Sequence, residues 1–323
     1  MRPELISGQA DQTIFHKDTK IGIIIPTLNE ERTLGAVIKD IRSLSLSVNV
    51  SILVVDGGST DRTLDICKIE NVRYILQKAK GKGSAMREAV EQSDADIVVF
   101  IDGDGTYSAS DLESMLEPLL NDDADMVVGS RILGKRDKGA ITLFNTLGNK
   151  VFNKTINFAM KTSITDSLSG YRALYRKTFN ELVLFSETFE IEVEMTVEAL
   201  AKGYRVLEVP IRYGLRNGTR TKLDPVGDGL RIGRTLLFIL MNVNPLKFFG
   251  VISLAFIVAG FYPGILVLYE KITTGNILSM PSVVFSSLLF VTGTISFVVG
   301  MVSELVVRSR RRLEYLINRK IDK

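Results

Sequence analysis

Two aspartates in the sequence, Asp102 and Asp104, have the type and spacing that most directly indicate chemistry. They follow a short apolar run, residues 97–101, that predicts a strand buried on both faces. Gly103 between them and Gly105 after them allow the backbone to approach a ligand closely. Carboxylate oxygens suit Mg²⁺ or Mn²⁺, and such an ion suits a diphosphate. The segment therefore predicts a site for a metal ion and a diphosphate.

Three other interpretations of this segment compete with that one. A solvated Asp-Gly turn accounts for the same residues when they are taken alone. A calcium loop would place Glu113 at its twelfth position, but it needs a glycine where Tyr107 stands. A dinucleotide fingerprint would need a glycine where Ser108 stands. The metal–diphosphate interpretation therefore depends on support from the rest of the chain.

The composition restricts which chemistry is available. The 323 residues carry a formal net charge of +3, with a single cysteine (Cys67) and a single histidine (His16). This excludes an internal disulfide, a thiolate zinc site and a histidine-rich metal centre, and it argues against a Ser-His-Asp apparatus. The mild charge gives no argument for a nucleic acid partner. The polar segment 1–20 has no apolar core of the kind that secretory signals carry.

Short apolar runs alternate with helical periodicity along residues 21–130. This pattern predicts βαβ units and a mostly parallel sheet, in which ligands lie beyond the carboxyl ends of the strands. Polar residues follow several of these runs, so we expect them at one edge of the sheet. They are Glu30, Asp56, Lys82, Asp102, Asp104 and Arg131.

Four further local predictions concern caps, loops and helices. Ser110 and Glu113 predict a capping box at the start of a helix. Residues 165–172 predict a polar loop that carries an acid and a base. A helix that begins at residue 189 has three acids at alternate positions, so we expect one or two of them to face the site. The basic loop 213–222 suits an anionic ligand.

Two apolar stretches near the carboxyl end are long enough to span a bilayer. Residues 248–269 and 282–302 contain no charge until Glu270 and Glu304, respectively. Arg231 and Arg234 precede another apolar stretch, which predicts a helix in the membrane interface. A buried hairpin in a water-soluble core is the alternative.

The charges beside these stretches predict their direction in the membrane. Lys247 precedes the first stretch, and four arginines between residues 308 and 312 follow the second. By the positive-inside rule both ends, and hence the large domain, are expected on the cytoplasmic face of the cell membrane. The basic tail also suits anionic lipid.

Seven short motifs occur in order over residues 21–223. They are IIIPTLNEE at 23–31, VVDGGSTDRT at 54–63, GKGSAMREA at 81–89, FIDGDGTY at 100–107, VVGSR at 127–131, DSLSGYRAL at 166–174 and EVPIRYGLR at 208–216. In type and spacing they resemble the family 2 glycosyltransferases of GT-A fold, specifically the polyprenyl-phosphate (dolichol-phosphate) glycosyltransferases such as dolichol-phosphate mannose and glucose synthases.

The resemblance implies an architecture for the whole chain. It implies an α/β fold with a GT-A-type doubly wound, mostly parallel sheet, followed by an interfacial helix and a two-helix transmembrane hairpin. The expected divisions are a polar segment 1–20, a transferase domain 21–226, interfacial helices 227–246, two transmembrane helices 247–307 and a basic tail 308–323. Homo-oligomer formation through the membrane helices stays open.

The resemblance also implies residue roles at the matching positions. The nucleotide sugar would be bound by Pro26, Leu28, Glu30, Val55, Asp56, Lys82, Asp102, Gly103, Asp104, Arg131, Arg216 and Lys222. Asp102, Asp104 and Arg131 would be catalytic, and Asp102, Asp104 and Thr106 would hold Mg²⁺ or Mn²⁺. Ser169, Arg172 and Arg220 would bind the phosphate of the polyprenyl or dolichyl phosphate acceptor.

Two departures from the mannose synthases bear on the donor. Many of those enzymes have Gln where this chain has Thr106, and often Asp where it has Gly57. The continuation through Thr106, Tyr107 and Asp111 is more similar to archaeal-type members that use UDP-sugars. We therefore expect UDP-glucose or UDP-N-acetylglucosamine ahead of GDP-mannose.

The chemistry expected of such a protein needs few protein groups. A lipid monophosphate has a second pKa of about 6, so it is an anionic nucleophile at neutral pH without a general base. An in-line, inverting displacement at the anomeric carbon then needs alignment and stabilisation of the departing diphosphate. A sugar-nucleotide pyrophosphorylase and a non-catalytic, membrane-tethered nucleotide-sugar binding protein are the alternatives.

Overall fold

The computed structural model of the chain describes residues 19–46, 48–137, 139, 143–186, 190–215 and 244–321, together with residues 233, 234, 237 and 241. The chain divides into two compact units, Met1–Pro225 and Val226–Lys323, which are described separately below. The predicted interfacial helices at 227–246 fall largely outside the described residues.

The first unit is built on a seven-stranded sheet with the strand order β3-β2-β1-β4-β6-β5-β7. Its strands are β1 Lys20–Thr27, β2 Asn49–Asp56, β3 Arg73–Leu76, β4 Ile97–Phe100, β5 Met126–Ser130, β6 Arg172–Tyr175 and β7 Val206–Pro210. All strand pairs are parallel except those that β6 makes with β4 and β5. The predicted mostly parallel α/β sheet is therefore confirmed.

Seven helices in the described part of this unit flank the sheet. They are α1 Leu34–Ser43, α2 Thr63–Ile69, α3 Lys82–Glu91, α4 Leu112–Leu120, α5 Leu143–Met160, α6 Arg176–Glu181 and α7 Ile191–Ala201. On one face of the sheet, Leu34 and Ile38 of α1 pack with Leu116 of α4. On the other face, Met86 of α3 and Met195 of α7 are buried in a second core. Both faces are covered, which is why β4 carries apolar side chains at every position.

The antiparallel strand β6 was not predicted. We expected residues 165–172 as a polar loop, and the structure places Arg172 as the first residue of β6. This strand is short, and it is defined by the neighbours on either side: Val99 and Val127 both pair with Ala173. A four-residue strand that depends on such tertiary pairing has too weak a local pattern to be recognised from sequence.

The predicted capping box at Ser110 and Glu113 is not formed. A short 3₁₀ helix, Ala109–Asp111, precedes α4, and Asp111 occupies the cap position without a side-chain hydrogen bond to the helix. The Ser110 hydroxyl lies 2.8 Å from the Ser108 hydroxyl instead. The Asp111 carboxylate accepts a hydrogen bond of 2.6 Å from the backbone N–H of Arg212, so it ties α4 to the segment after β7.

The second unit contains two long helices, α8 Pro245–Thr274 and α9 Met280–Ile321. Pro245–Thr274 and Met280–Ser309 are long and apolar enough to cross a membrane, with mean hydropathies of 2.3 and 2.0. Within the apolar 18-residue segment of each of these helices, only 17% is buried. A core helix of a water-soluble protein would be mostly buried, so these helices do not pack in that way.

Small residues bring α8 and α9 together. A Cβ added at Gly293 would lie 2.8 Å from Ile257 Cγ1, and one at Gly260 would lie 3.3 Å from Leu289 Cβ. The Ser286 hydroxyl donates a 2.8 Å hydrogen bond to the Gly260 carbonyl. This packing, with small residues and hydroxyls between the helices, is typical of helix pairs in membranes.

Candidate active site

The turn after β4 presents the two predicted aspartates and is fixed by the end of β1 and the start of α1. The Thr33 hydroxyl donates a 2.8 Å hydrogen bond to the Gly103 carbonyl. A Cβ added at Gly103 would lie 2.7 Å from Thr27 Cγ2 and 3.3 Å from Ile25 Cγ2, so a larger residue there would displace side chains of β1. Close packing therefore requires the glycine between Asp102 and Asp104.

Thr106 orients the carboxylate of Asp104. Asp104 Oδ1 accepts hydrogen bonds from the backbone N–H of Thr106 at 3.1 Å and from its hydroxyl at 2.7 Å. The Thr106 side chain is buried. Its hydroxyl thus acts on Asp104 directly, and the prediction that Thr106 is itself a metal ligand stays a prediction.

Lys82 lies between two carboxylates. Its Nζ is 2.6 Å from Asp102 Oδ1 and 2.8 Å from Glu192 Oε1, and its side chain is only 9% exposed. Burial by itself lowers a lysine's pKa, but the charges of Asp102 and Glu192 outweigh it and raise the pKa of Lys82 above its usual value. A permanent positive charge is therefore held beside the first aspartate.

The three acids near the start of α7 have different environments. Glu192 contacts Lys82 through Oε1, while its Oε2 is buried without a hydrogen-bond partner among the described residues. Glu194 instead accepts hydrogen bonds from the backbone N–H groups of Phe185 and Ser186 at 3.0 and 2.8 Å. The third acid, Glu190, is also buried. Glu192 is thus joined to the aspartate turn through Lys82, which also contacts Asp102.

The loops after β1 and β2 are joined by side-chain hydrogen bonds. Asn29 has a left-handed φ of 55°, which points its carboxamide at the β2 loop, where Oδ1 accepts from the Thr60 N–H at 2.8 Å. The Asn29 N–H donates to the Ser59 hydroxyl at 2.8 Å, and the Glu30 N–H donates to the Thr63 hydroxyl at 2.9 Å. The two predicted nucleotide-binding loops thus form one rigid surface.

Asp56 closes the β2 loop on itself. Its Oδ2 accepts from the N–H groups of Gly58 and Ser59, both at 2.9 Å. Its Oδ1 is buried and has no hydrogen-bond partner among the described residues. An unpaired carboxylate oxygen at the end of a central strand is an acceptor available to a ligand.

Arg131 is held by Asp166. Its Nε and Nη2 donate to the two carboxylate oxygens of Asp166 at 2.8 and 2.7 Å, and its backbone N–H donates to the same group at 2.9 Å. Glu208 fixes this loop in turn, since it accepts 2.7 Å hydrogen bonds from the N–H groups of Thr165 and Asp166. Burial raises the pKa of the Glu208 carboxyl.

Tyr107 connects the aspartate turn with the Arg131 side of the site. Its hydroxyl accepts a 2.9 Å hydrogen bond from the Gly170 N–H, and its ring centroid lies 5.2 Å from that of Tyr213. The Arg131 guanidinium carbon lies 5.3 Å from the centroid of the Tyr213 ring. Burial raises the pKa of the Tyr107 hydroxyl, so it stays protonated at neutral pH.

Gly170 is the point where the loop before β6 meets the aspartate turn. A Cβ added there would lie 2.8 Å from Lys82 Nζ and 2.9 Å from Asp102 Oδ2. The backbone of this loop therefore lies against both charged groups. A larger residue at position 170 would displace the pair that it touches.

Arg172 and Ser169 are placed inside the protein. Arg172 is fully buried, and its guanidinium donates to the carbonyls of Ser169 and Ser167 at 2.8 and 2.6 Å and to the Thr196 hydroxyl at 2.8 Å. Burial lowers the pKa of Arg172 to about 10, which leaves it charged at neutral pH. The Ser169 hydroxyl is buried without a hydrogen-bond partner among the described residues. The position of Arg172 suits support of the loop and gives no support to the prediction of phosphate contact.

The structure thus brings most of the predicted residues to one edge of the sheet. Those that lie at this edge are Pro26, Leu28, Glu30, Val55, Asp56, Lys82, Asp102, Gly103, Asp104, Thr106 and Arg131. The predicted Arg216, Arg220 and Lys222 fall outside the described residues. Tyr107, Asp166 and Glu208 lie in the motifs described above, but the sequence assigned them no site role, because their roles depend on contacts between distant segments.

The residues of the turn fit a magnesium or manganese ion. Among the described residues no group of three His, Cys, Asp or Glu side chains comes together. Mg²⁺ commonly binds through one or two carboxylates and fills its other positions with substrate phosphate oxygens and water. Asp102 and Asp104 provide such a pair.

Comparisons with known proteins identify the family of the chain. The family model described as "Glycosyl transferase family 2" matches residues 22–183. Glycosyltransferase AglJ of Haloferax volcanii is 36% identical over 302 residues, which cover 91% of this chain and 97% of that protein. The dolichyl-phosphate hexose transferase of the same organism is 35% identical over 219 residues, which cover 67% of this chain and 92% of that protein.

A solved structure supports the fold. Glucosyl-3-phosphoglycerate synthase from Mycobacterium tuberculosis, in complex with Mn²⁺, UDP and glucosyl-3-phosphoglycerate, has a TM-score of 0.56 at 22% identity. The match covers 68% of this chain and 80% of that one, and it agrees with the predicted GT-A-type fold. From the matched family model and the length over which its relatives align, the chain belongs to glycosyl transferase family 2 and is a glycosyltransferase.

Proposed function

We propose that this glycosyltransferase moves a hexosyl group from a nucleotide-diphospho-sugar to polyprenyl or dolichyl phosphate at a membrane. The observation that carries the proposal is the cluster of Asp102, Asp104 and Lys82 at the carboxyl edge of the sheet. The name of the dolichyl-phosphate hexose transferase, which aligns over two thirds of this chain, supports the acceptor.

The donor is assigned to the surface formed by the β1 and β2 loops. The buried Asp56 Oδ1 offers an acceptor to a base or ribose, and the partly exposed Leu28 offers an apolar contact. The Asn29–Thr60 and Glu30–Thr63 hydrogen bonds hold this surface before the donor arrives. UDP-glucose and UDP-N-acetylglucosamine are the favoured donors, and GDP-mannose is the third.

The diphosphate is assigned to the aspartate turn. A divalent ion bound there supplies positive charge to the leaving diphosphate. Asp102 and Asp104 would hold the ion, and Thr106 keeps the Asp104 carboxylate in place. Lys82 adds a permanent charge at the same point, so the negative charge that develops on the leaving group meets groups that are already oriented.

The acceptor is assigned to the Arg131 side of the site. Asp166 orients the Arg131 guanidinium, and Tyr107 links it to the aspartate turn. The lipid phosphate is anionic at neutral pH, so it needs no general base. Its oxygen attacks the anomeric carbon in line with the bond to the nucleoside diphosphate, which breaks on the opposite face, so the anomeric configuration inverts. The described residues therefore need only to align the donor diphosphate with the lipid phosphate and to neutralise the charge of both. Arg172 takes a supporting role in this scheme.

The packing of α8 and α9 supports a membrane location. Their large side chains are exposed, including Leu266, Leu268 and Val291, while Ser253, Gly260 and Ser286 lie between the helices. Such a surface is stable in lipid and unstable in water. We assign the two helices to the bilayer and the first unit to the cytoplasmic face, as the flanking Lys247 and Arg308 favour.

A donor panel tests the proposal. Membranes that contain the full chain are incubated with radiolabelled UDP-glucose, UDP-N-acetylglucosamine or GDP-mannose, dolichyl phosphate and Mg²⁺ or Mn²⁺. Label from one UDP-sugar should enter the chloroform-soluble fraction. If no donor labels the lipid, the assigned acceptor is wrong.

A further inference from the structure

Helix α5 has an inner face that belongs to the active site. Phe152 and Ile156, on this face, are buried inside the first unit. Asn157 Nδ2 donates to the Ile164 carbonyl at 2.8 Å, and Asn153 Oδ1 accepts from the Ser167 hydroxyl at 2.6 Å. These bonds hold the loop that carries Asp166, the partner of Arg131. The position of α5 therefore determines the position of the Arg131 side of the site.

The outer face of α5 is composed differently. Val151 is 57% exposed and Phe158 is 67% exposed. Lys150, Lys154 and Lys161, the last just beyond the helix end, are exposed as well. At 3.6 residues per turn the four positions on the helix fall within an arc of about 100°, and Lys161 follows directly after the helix end. They form a single surface of two apolar side chains among three lysines, which we call the α5 outer face.

The surrounding sequence contains no acid that could balance these lysines. Residues 138–165 contain four lysines and no Asp or Glu. Within the described part of the chain, no ion pair involves Lys150, Lys154 or Lys161. The α5 outer face is therefore both apolar and uniformly positive.

Lysines that flank exposed apolar side chains are the composition of helices that lie in a membrane interface. The apolar groups enter the boundary between headgroups and acyl chains, and the lysine stems extend so that their ammonium groups reach anionic headgroups. A partner protein that covered only an apolar patch would not account for the three lysines. Anionic lipid accounts for both features.

We propose that the α5 outer face is a membrane contact of the first unit, which rests on the anionic headgroup surface of the bilayer. The inference depends on the proposed membrane function and adds a surface to it. Because Asn153 and Asn157 join α5 to the Asp166 loop, this contact would also set the orientation of the acceptor side of the site.

The contact is testable in the full chain reconstituted in nanodiscs. Cys67 is replaced by Ala, and a fluorophore is attached at Phe158→Cys or, as the control position, at Ile69→Cys, which is exposed on α2. Quenching by brominated lipid is compared between discs of phosphatidylcholine alone and discs that also contain phosphatidylglycerol. We expect at least two-fold stronger quenching at position 158 than at position 69 in the anionic discs.

Charge-reversal variants test whether the quenching depends on the three lysines of the α5 outer face. The triple variant Lys150→Glu/Lys154→Glu/Lys161→Glu should lose most of the quenching at position 158. The matched triple variant Lys39→Glu/Lys68→Glu/Lys177→Glu, at exposed positions outside α5, should keep it. Equal quenching at positions 158 and 69, or quenching that is indifferent to phosphatidylglycerol, would overturn the inference. Protection of the label only after a protein or nucleic acid is added would also overturn it.

Transfer activity is measured on the same discs. The quenching signal needs neither donor nor acceptor, so the two results are independent. Transfer activity without quenching at position 158 would contradict the proposed α5 contact and leave the proposed reaction unaffected. Quenching without lipid-linked product would remove the proposed reaction and leave the contact.

Discussion

The two units of the chain place their apolar and polar residues in opposite ways. In the first unit, large side chains such as Ile24 and Phe100 are fully buried, and the functional polar groups lie at one edge of the sheet. In the second unit, Phe285 is 58% exposed while Ser253 and Ser286 are buried between the helices. Large apolar side chains are therefore buried in the first unit and exposed in the second.

The difference indicates which solvent each unit is built for. Water favours burial of large apolar side chains, which gives the first unit its two cores. Lipid gives no such driving force between helices, so close approach at small residues and hydroxyl hydrogen bonds determines which faces meet. The buried polar groups accordingly have different purposes: those at the sheet edge are placed for chemistry, and those between α8 and α9 for packing.

The largest expected effect contrasts two phenylalanines. Phe100→Ala removes a fully buried ring from the second core and should cost about 3–5 kcal/mol in the free energy of unfolding. Phe285→Ala removes an exposed ring from α9 and should change stability by less than about 0.5 kcal/mol. Limited proteolysis of the reconstituted full chain in urea measures both. Equal losses for the two variants would contradict the contrast.

Asp104→Ala tests whether the polar edge serves chemistry. We expect transfer to fall by roughly 10²-fold or more, because the ion and the leaving group lose their carboxylate. The unfolding midpoint should stay near that of the wild type. Asp123→Ala, which alters an exposed acid after α4, is the control and should keep full activity. Near-normal turnover of Asp104→Ala would remove the metal hypothesis.

Glu192→Gln tests the group that holds Lys82. Without the second carboxylate, Lys82 is less well placed beside Asp102, and we expect activity to fall by about 10- to 100-fold. Mn²⁺ titration of the rate should also shift, because the charge beside Asp102 changes. The Glu194 carboxylate accepts hydrogen bonds from two backbone N–H groups. The Glu194→Gln variant should therefore be less stable, and the Mn²⁺ dependence of its rate should stay that of the wild type. The same loss of rate in both variants, with an unchanged Mn²⁺ titration, would refute a positioning role for Glu192.

Gly293→Leu tests the close approach of the two long helices. The added side chain meets Ile257 and the Ser253 carbonyl, and overpacking of this kind costs about 1–3 kcal/mol. Oxidative cross-linking of a Gly260→Cys/Leu289→Cys pair measures the approach, since those two Cβ positions are 3.3 Å apart. The cross-link should weaken with Gly293→Leu. It should persist with Gly250→Leu, because no atom of the described residues lies within 4 Å of a Cβ at that position.

The sequence was sufficient for features that depend on local patterns. Short β-branched runs predicted β1, β2, β4 and β5, and the polar residues after them lie at one edge of the sheet as expected. The length and apolar character of residues 248–269 and 282–302 predicted α8 and α9. In each of these cases the signal is contained in consecutive residues.

The features that were missed depend on contacts between distant segments. Strand β6 is defined by its pairing with β4 and β5. Ser110 does not cap α4 as predicted, because its hydroxyl forms a hydrogen bond with that of Ser108. Three acids in alternation identified the start of α7 as charged, but only the position of Lys82 shows that Glu192 is joined to the turn through it. Spacing alone carries no information about which side chain meets which.

Transfer of labelled sugar to lipid phosphate by the reconstituted full chain tests the central claim most directly. The wild-type protein, supplied with a labelled UDP-sugar, dolichyl phosphate and Mn²⁺, should place label in the chloroform-soluble fraction. The Asp104→Ala variant and the wild type in excess chelator should place almost none there. Label that enters lipid equally with the variant or in chelator, or label that stays in water-soluble products with every donor, would contradict the account.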